Sequence, residues 1–337
     1  MDVWEIKHQD FFLAKSSQDR IAFLLRYAIL APSTHNTQPW EFEVQRDCCR
    51  ILLMTSKKLP IGDPKTRDLY ISLGCCLENL IAAAKAFGVN AKVDLSELRD
   101  DSIRVSFQDV MSTSRIVDPD SLKAITDRFN ARGIFKQIPL DKGLADQIVK
   151  LSSKEVETSL IDDKAAIRDI ADLTAKGLEM AYADPAFRKE ISSWIRPNFS
   201  KKRDGIPGYA LRLSTPMSAI MPLMMRNFNI GKKLGQLNRG SLLSAPAVCV
   251  LSTPKEDAET WVKVGRTAEH IMLLFNRNGM KTSIFVASIE MGNLTKQLQS
   301  IVGTKYKPQF LFCGGYIDTP QGHTRRYPLN DSIKVKI

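Results

Sequence analysis

Between residues 31 and 40 the chain reads Ala-Pro-Ser-Thr-His-Asn-Thr-Gln-Pro-Trp, and this stretch fixes where a helix must stop and a strand can start. Upstream, Ile21, Leu24, Leu25, Ala28 and Ile29 fall on one face at helical spacing. Pro32 biases Ala31 away from helical dihedrals. An unbroken polar run follows, from Ser33 to Gln38, closed by Pro39. From Trp40 to Val44 apolar and polar residues alternate, as in a half-buried strand. A polar loop held between a helix and a strand suits a small polar ligand, although the same residue types also build plain turns.

The rest of the chain reads as mixed α and β. A helix near 18–30 leads through the loop to strands near 41–46 and 50–55. The segment Asp63-Pro64-Lys65-Thr66-Arg67-Asp68 opens a helix whose apolar positions run from Leu69 to Phe87, with Gly88 as its stop. Gly74 inside it suggests close packing, or simply a tolerated helical glycine. Strands near 89–95 and 103–108 complete a first half, 1–117. Around Val117-Asp118-Pro119 the chain changes character, and 118–337 reads as a second half. It holds helices near 120, 141–152 and 163–182, with a strand at about 155–161. The continuous apolar run Ala245 to Leu251 predicts a buried central strand. A helix with Trp261, Val264, Ala268, Ile271, Met272 and Phe275 ends at Gly279, and 308–315 reads as a strand. Residues 197–216, marked by glycine and proline and patternless otherwise, are expected to form a lid. Met217, Met221, Met224 and Met225 suggest an adaptable apolar surface packed between the halves. Residues 1–17 show no evident chemistry.

Cysteine and charge bound the function. The six cysteines include two adjacent pairs and no C-x-x-C, and there are only four histidines, so no metal site is expected and reduced thiols are the default. No signal peptide or membrane-length apolar run is visible, which points to a cytoplasmic protein with no membrane partner. The net charge is +11. No nucleic-acid module accompanies it, so nucleic acid is not expected as a partner, and most of the excess is left without a role.

The 31–40 stretch resembles the Ala-Pro-Ser-x-x-Asn-x-Gln-Pro-Trp motif of the FMN-dependent nitroreductase family. The whole chain is similar to the Acg-like branch, in which two nitroreductase-like halves share one chain. That implies an α+β fold of two pseudo-repeated halves packed as an intrachain pseudo-dimer. It also implies FMN as cofactor, with Pro32, Ser33, Asn36 and Gln38 against the flavin ring. Arg128-Phe129-Asn130-Ala131-Arg132 resembles the family's phosphate segment, with Asn130 where a hydroxyl residue is usual. Asn238 matches an asparagine at the flavin pyrimidine edge. Ser241 stands where many members carry a lysine. Val286 and Ala287 fit the stretch whose backbone faces flavin N5, and Arg325 and Arg326 fit a basic pair for the phosphate. A dianionic phosphate favours the forked, permanent charge of arginine.

The reading is therefore an NAD(P)H-dependent flavin oxidoreductase. NADPH or NADH would be a transient donor, and a small nitroaromatic or quinone-type molecule the acceptor. No G-x-G-x-x-G unit implies a dedicated dinucleotide domain. The alternative is an FMN storage or sequestration protein. The polar loop and the phosphate segments each occur once, in opposite halves, so a monomer suffices for one flavin site, and a homodimer through other surfaces is compatible with it.

Overall fold

Two helices of 20 residues, Arg67–Ala86 and Ala258–Arg277, cross at the centre of the molecule and set its architecture. The computed structural model describes residues 2–318 and 322–334. Gly74 and Gly265 are each the eighth residue of their helix, and they meet at the crossing. A Cβ on Gly74 would lie 2.1 Å from the Val262 carbonyl oxygen, and one on Gly265 2.0 Å from that of Ile71. The backbones can approach this closely only because both positions lack a side chain. Each helix is followed, two residues beyond its end, by a glycine at positive φ, Gly88 at 72° and Gly279 at 73°.

The strands around these helices repeat the same plan. In the first half lie β1 (Trp40–Val44), β2 (Cys48–Leu53), β3 (Asn90–Asp94) and β4 (Ser102–Gln108). The second half contributes β5 (Glu157–Ile161), the short parallel pair β6 (Ile195–Arg196) and β7 (Ile206–Pro207), then β8 (Ala247–Thr253), β9 (Lys281–Ile284) and β10 (Lys307–Gly315). A last short strand, β11, is Ile333–Lys334. One sheet runs β11-β1-β2-β4-β3 and the other β5-β8-β10-β9. Without β11 the two orders are equivalent, every neighbouring pair is antiparallel, and each long helix sits between the second and third strand of its set. The expected two-half α+β fold is thus present. β11 joins β1 in parallel, so residues near 333 complete the edge of the first sheet.

β8 is buried along its whole length, as its unbroken apolar run requires. The main core joins both halves: Leu24, Phe42 and Leu77 share it with Val262, Ile271 and Phe312. It also takes in Leu122 and Ile125 of the helix Pro119–Asp127, just past the expected boundary at 117. A second core lies under β8 and β10 around Ile170, Leu242, Val250 and Leu311. The methionine-bearing helix Thr215–Asn227 does not pack between the halves. Its Met221 and Met225 join a separate small core with Tyr182, Ile191 and Ile195, all from the second half. Among the described residues one helix, Arg67–Ala86, is long and apolar enough to cross a membrane, and its apolar window is 78% buried in the fold.

Candidate functional site

The polar loop is wound tightly. His35, Asn36 and Gln38 all adopt positive φ, at 51°, 56° and 52°. Left-handed backbone is unfavourable for residues with a Cβ, so side-chain bonds must hold it. Ser33 Oγ accepts from the Gln38 amide at 2.9 Å. Asn36 Nδ2 donates to the carbonyls of Gly205 at 3.1 Å, Arg203 at 3.3 Å and Arg325 at 3.0 Å, while its Oδ1 accepts from Arg326 Nη1 at 2.7 Å. Gln38 Nε2 donates to Arg203 O at 2.8 Å, and its Oε1 accepts from the Tyr327 amide at 2.8 Å. The two amides therefore fasten distant segments to the loop.

Beside the loop lies a cleft of about 240 Å³. Pro32, Ser33, His35 and Asn36 form one wall, and Arg128, Asn130 and Arg132 another. Ile71, Phe129, Ile284, Val286 and Phe310 make it largely apolar between them, and Ile206, Ala210, Gly322, His323 and Thr324 cover it. Both halves of the chain supply walls. The segment 197–216, expected to be structureless, is ordered here by the β6–β7 pair, by a short 3-10 turn at Gly208–Leu211 and by its two carbonyls on Asn36 and Gln38.

The cationic end of the cleft is unbalanced. Arg128 and Arg326 are both buried. Arg128 Nε lies 3.2 Å from Oε1 of Glu269, which is fully buried, and Arg128 Nη1 has no hydrogen-bond partner. Burial pushes the Glu269 carboxyl up to about 7, with Arg128 pulling it back, so the carboxylate facing these guanidiniums is a weak counter-charge. Arg326 spends its two terminal nitrogens inside the protein. Nη2 donates to Leu30 O at 3.2 Å and Ala31 O at 3.1 Å, and Nη1 to Asn36 and to Thr324 Oγ1 at 2.5 Å; Nε has no hydrogen-bond partner. Burial first, and the charge of Arg128 second, lower its pKa to about 9. Two buried cations facing one weak carboxylate make a site that lacks negative charge.

The cleft also has acidic neighbours. Asp68 lines the cleft and shares Arg67 with Glu290: Arg67 Nη2 is 3.0 Å from Asp68 Oδ1 and 3.3 Å from Glu290 Oε1. Burial and the neighbouring Asp68 raise the Glu290 carboxyl well above its usual range, and Asp63 to about 6. His35 is half-buried, and the burial of its ring lowers it to about 4.

Of the residues expected at a site, the structure brings Pro32, Ser33, Asn36, Arg128, Asn130, Arg132, Val286 and Arg326 to this cleft. Asn130 Oδ1 accepts from the Ile284 amide at 2.9 Å, so its carbonyl end holds the strand in place. Four others are elsewhere. Gln38 is buried against residues 203 and 327. Arg325 is exposed and bonds the Ser200 carbonyl on the outside. Ala287 turns its carbonyl to Gly177, where a Cβ would come within 2.5 Å of it. Asn238 lies within the helix Gly231–Ser244, whose packing against the helix Lys164–Ala183 sets its direction, and it is not part of the cleft wall. Trp4 and His323 were not foreseen. Their rings stack at 4.0 Å and 15°, with the Arg326 guanidinium 5.2 Å from the Trp4 ring. No local pattern around Trp4 announces a contact with residue 323.

No family model matches the chain. Curated relatives do. It is 22% identical over 306 residues, 88% of this chain and 85% of the other, to Rv3131 of Mycobacterium tuberculosis (strain ATCC 25618 / H37Rv), a protein bearing the name of an NAD(P)H nitroreductase. It is 21% identical over 333 residues, 94% and 96% of the two chains, to acg of the same strain, which is named likewise. Among solved structures, an FMN-dependent nitroreductase NfnB from Mycobacterium smegmatis in complex with NADPH matches at TM-score 0.43 and 15% identity, over 66% of this chain and all of that one. A nitroreductase with bound FMN from Desulfitobacterium hafniense matches at TM-score 0.41 and 14% identity, over 64% and 97%. Two repeated sheet-and-helix halves sharing one cleft define a fused, two-half α+β protein. In sequence it is similar, over most of both chains, to relatives that carry the name of NAD(P)H nitroreductases.

Proposed function

We propose that this cleft holds FMN and that the chain is an NAD(P)H-dependent flavin oxidoreductase acting on small nitroaromatic or quinone-type acceptors. The observation that carries this is the pair of buried guanidiniums beside the apolar walls of the cleft, with Arg128 Nη1 lacking a partner. A dianionic phosphate supplies the charge and the acceptors that this end lacks. When bound, FMN supplies the hydride chemistry that no side chain here provides. Arg128 and Arg132 hold the phosphate. Arg326 is a clasp first, fixing the 31–36 loop, and adds positive charge from behind. Pro32, Ser33 and Val286 line the ring, with Ile71 and Phe310 excluding water around it.

A second reading, FMN storage, draws on the fastening of the covering segment by Asn36 and Gln38, which would shield a bound flavin. One experiment separates them. The purified protein should be yellow, and NADPH or NADH added without oxygen should bleach it within seconds to minutes. A yellow protein that neither donor bleaches is a store; a colourless protein that takes up no FMN refutes both. Arg132→Ala, and Arg128→Met combined with Glu269→Gln to avoid a stranded buried acid, should each weaken FMN by about ten- to a hundredfold. Riboflavin affinity should not change. Unchanged FMN affinity would remove these arginines from the phosphate site.

A further inference from the structure

The positive charge of this chain is concentrated in one stretch of its sequence. Between residues 191 and 254 there are nine lysines and arginines and a single acid, Asp204, so eight of the eleven excess charges fall in 64 residues. The two helices in that stretch, Thr215–Asn227 and Gly231–Ser244, contain no aspartate or glutamate at all. They also carry apolar side chains in the open. Met217, Ile220 and Leu223 recur every third residue along the outer side of the first helix, Leu223 being 64% exposed. Phe228 in the linker is 63% exposed and Leu237 on the second helix 62%. Their inward residues, Met221 and Met225 on one helix and Ile230 and Leu234 at the other, share the small core around Tyr182 and Ile191. Both helices therefore turn these residues toward one small core and leave their other sides outward. Lys232 and Lys233 border Leu237 in a shallow depression of that surface.

We infer that this face is a docking surface for an anionic phospholipid membrane, on which the protein lies without crossing it. Exposed aliphatic side chains gathered on one face mark an interaction site rather than ordinary surface. Lys232 and Lys233 beside the exposed Leu237, on a helix that itself carries no acid, match an interfacial helix whose apolar side enters the headgroup boundary while its lysines meet lipid phosphates; Arg239, on the same helix, is paired with Asp172. The alternatives use only half of the face. A second copy packed through it about a two-fold axis would set the same basic surface against itself. A nucleic acid would take the charges and leave Met217, Ile220 and Leu223 in water, because duplex and single-strand sites use phosphate contacts and aromatic stacking. The inference revises the expectation of no membrane partner, which concerned spanning segments, and it does not depend on what the cleft binds. It does bear on the cleft: the chain runs from Ala210 in the cleft wall to the first of these helices at Thr215.

Co-sedimentation of the full chain with extruded vesicles tests this. The parent should pellet with vesicles of phosphatidylcholine mixed with phosphatidylglycerol, less so as salt rises, and stay in solution with phosphatidylcholine alone. Lys232→Glu with Lys233→Glu should lower the partition coefficient at least about tenfold. Leu223→Ser with Phe228→Ser should lower it about tenfold or more at constant salt. These residues are at the surface, and an unchanged melting curve confirms that the variants are folded. Leu223→Trp adds a reporter whose emission should shift to the blue with the mixed vesicles only. Failure to pellet with the mixed vesicles at low salt overturns the inference. So does undiminished binding of the apolar variant, which would make the face a general polyanion site. So too does a dimer in sedimentation velocity that Leu223→Ser dissolves, which would make it a contact between copies.

Discussion

The Asn36 side chain makes four hydrogen bonds to four different residues, and each of these partners lies more than 160 positions away in the chain. It is a structural knot at the rim of the cleft. Asn36→Ala should cost about 2–4 kcal/mol in denaturant unfolding, since it takes one acceptor from a buried guanidinium and the donor from three carbonyls of distant segments. A loss under about 1 kcal/mol would show that solvent can replace these bonds. His35 makes a second prediction. Its ring titrates near 4 in the folded protein against 6.5 in the unfolded chain, so the native state keeps it neutral. The stability this reflects is present above pH 6.5 and is lost as pH falls from there to about 4, a window shared with His323. An NMR titration of His35 with a midpoint near 6.5 would remove the argument. The sequence made the polar character of this loop plain. It did not show which amides face a ligand and which face the chain, because that depends on segments 203–205 and 325–327 arriving from far away.

At the scale of elements, the crossing of the two long helices is the most constrained contact. Gly74→Ala should destabilise by about 2–3 kcal/mol or more, overpacking a site that has no room, even though alanine is the better helix former. Gly240, also helical, has only Ile134 Cδ1 at 3.8 Å from its would-be Cβ, so Gly240→Ala should stabilise by about 0.5–1 kcal/mol. Thermal melts of the two variants should move in opposite directions; movement in the same direction would refute the close-crossing account. Periodicity sufficed to place these elements, since the 3.6-residue and two-residue patterns are strong over 67–86, 164–183, 258–277 and the buried run of β8. It could not place Asn238. A residue type matched by resemblance carries no information on which way its helix turns, and Gly235 against Ala175 sets that turn.

For the whole molecule, the repeated sheets and the mixed walls of the cleft suggest one flavin site per chain. The ring-side loop comes from the first half and Arg128, Arg132 and Val286 from the second. Saturated protein should release one FMN per chain on denaturation, at concentrations where the protein is a monomer; a ratio near two, or loss of flavin on dilution, would refute an intrachain site. A division at 117/118 remains our proposal for the two halves as units of sequence. Their cores are continuous across it.

The parallel pairing of β11 with β1, together with the bonds from Arg326 to the carbonyls of Leu30 and Ala31, has a consequence for synthesis. The loop at 31–38 leaves the ribosome well before the segments that hold it. Its clasp is made about 290 residues later. Throughout translation the nascent first half carries an unpaired strand edge and a loop whose left-handed turns have nothing to hold them. The cleft is thus assembled only after residue 326 has emerged, and a truncated nascent chain has no complete pocket in which to retain a reactive cofactor.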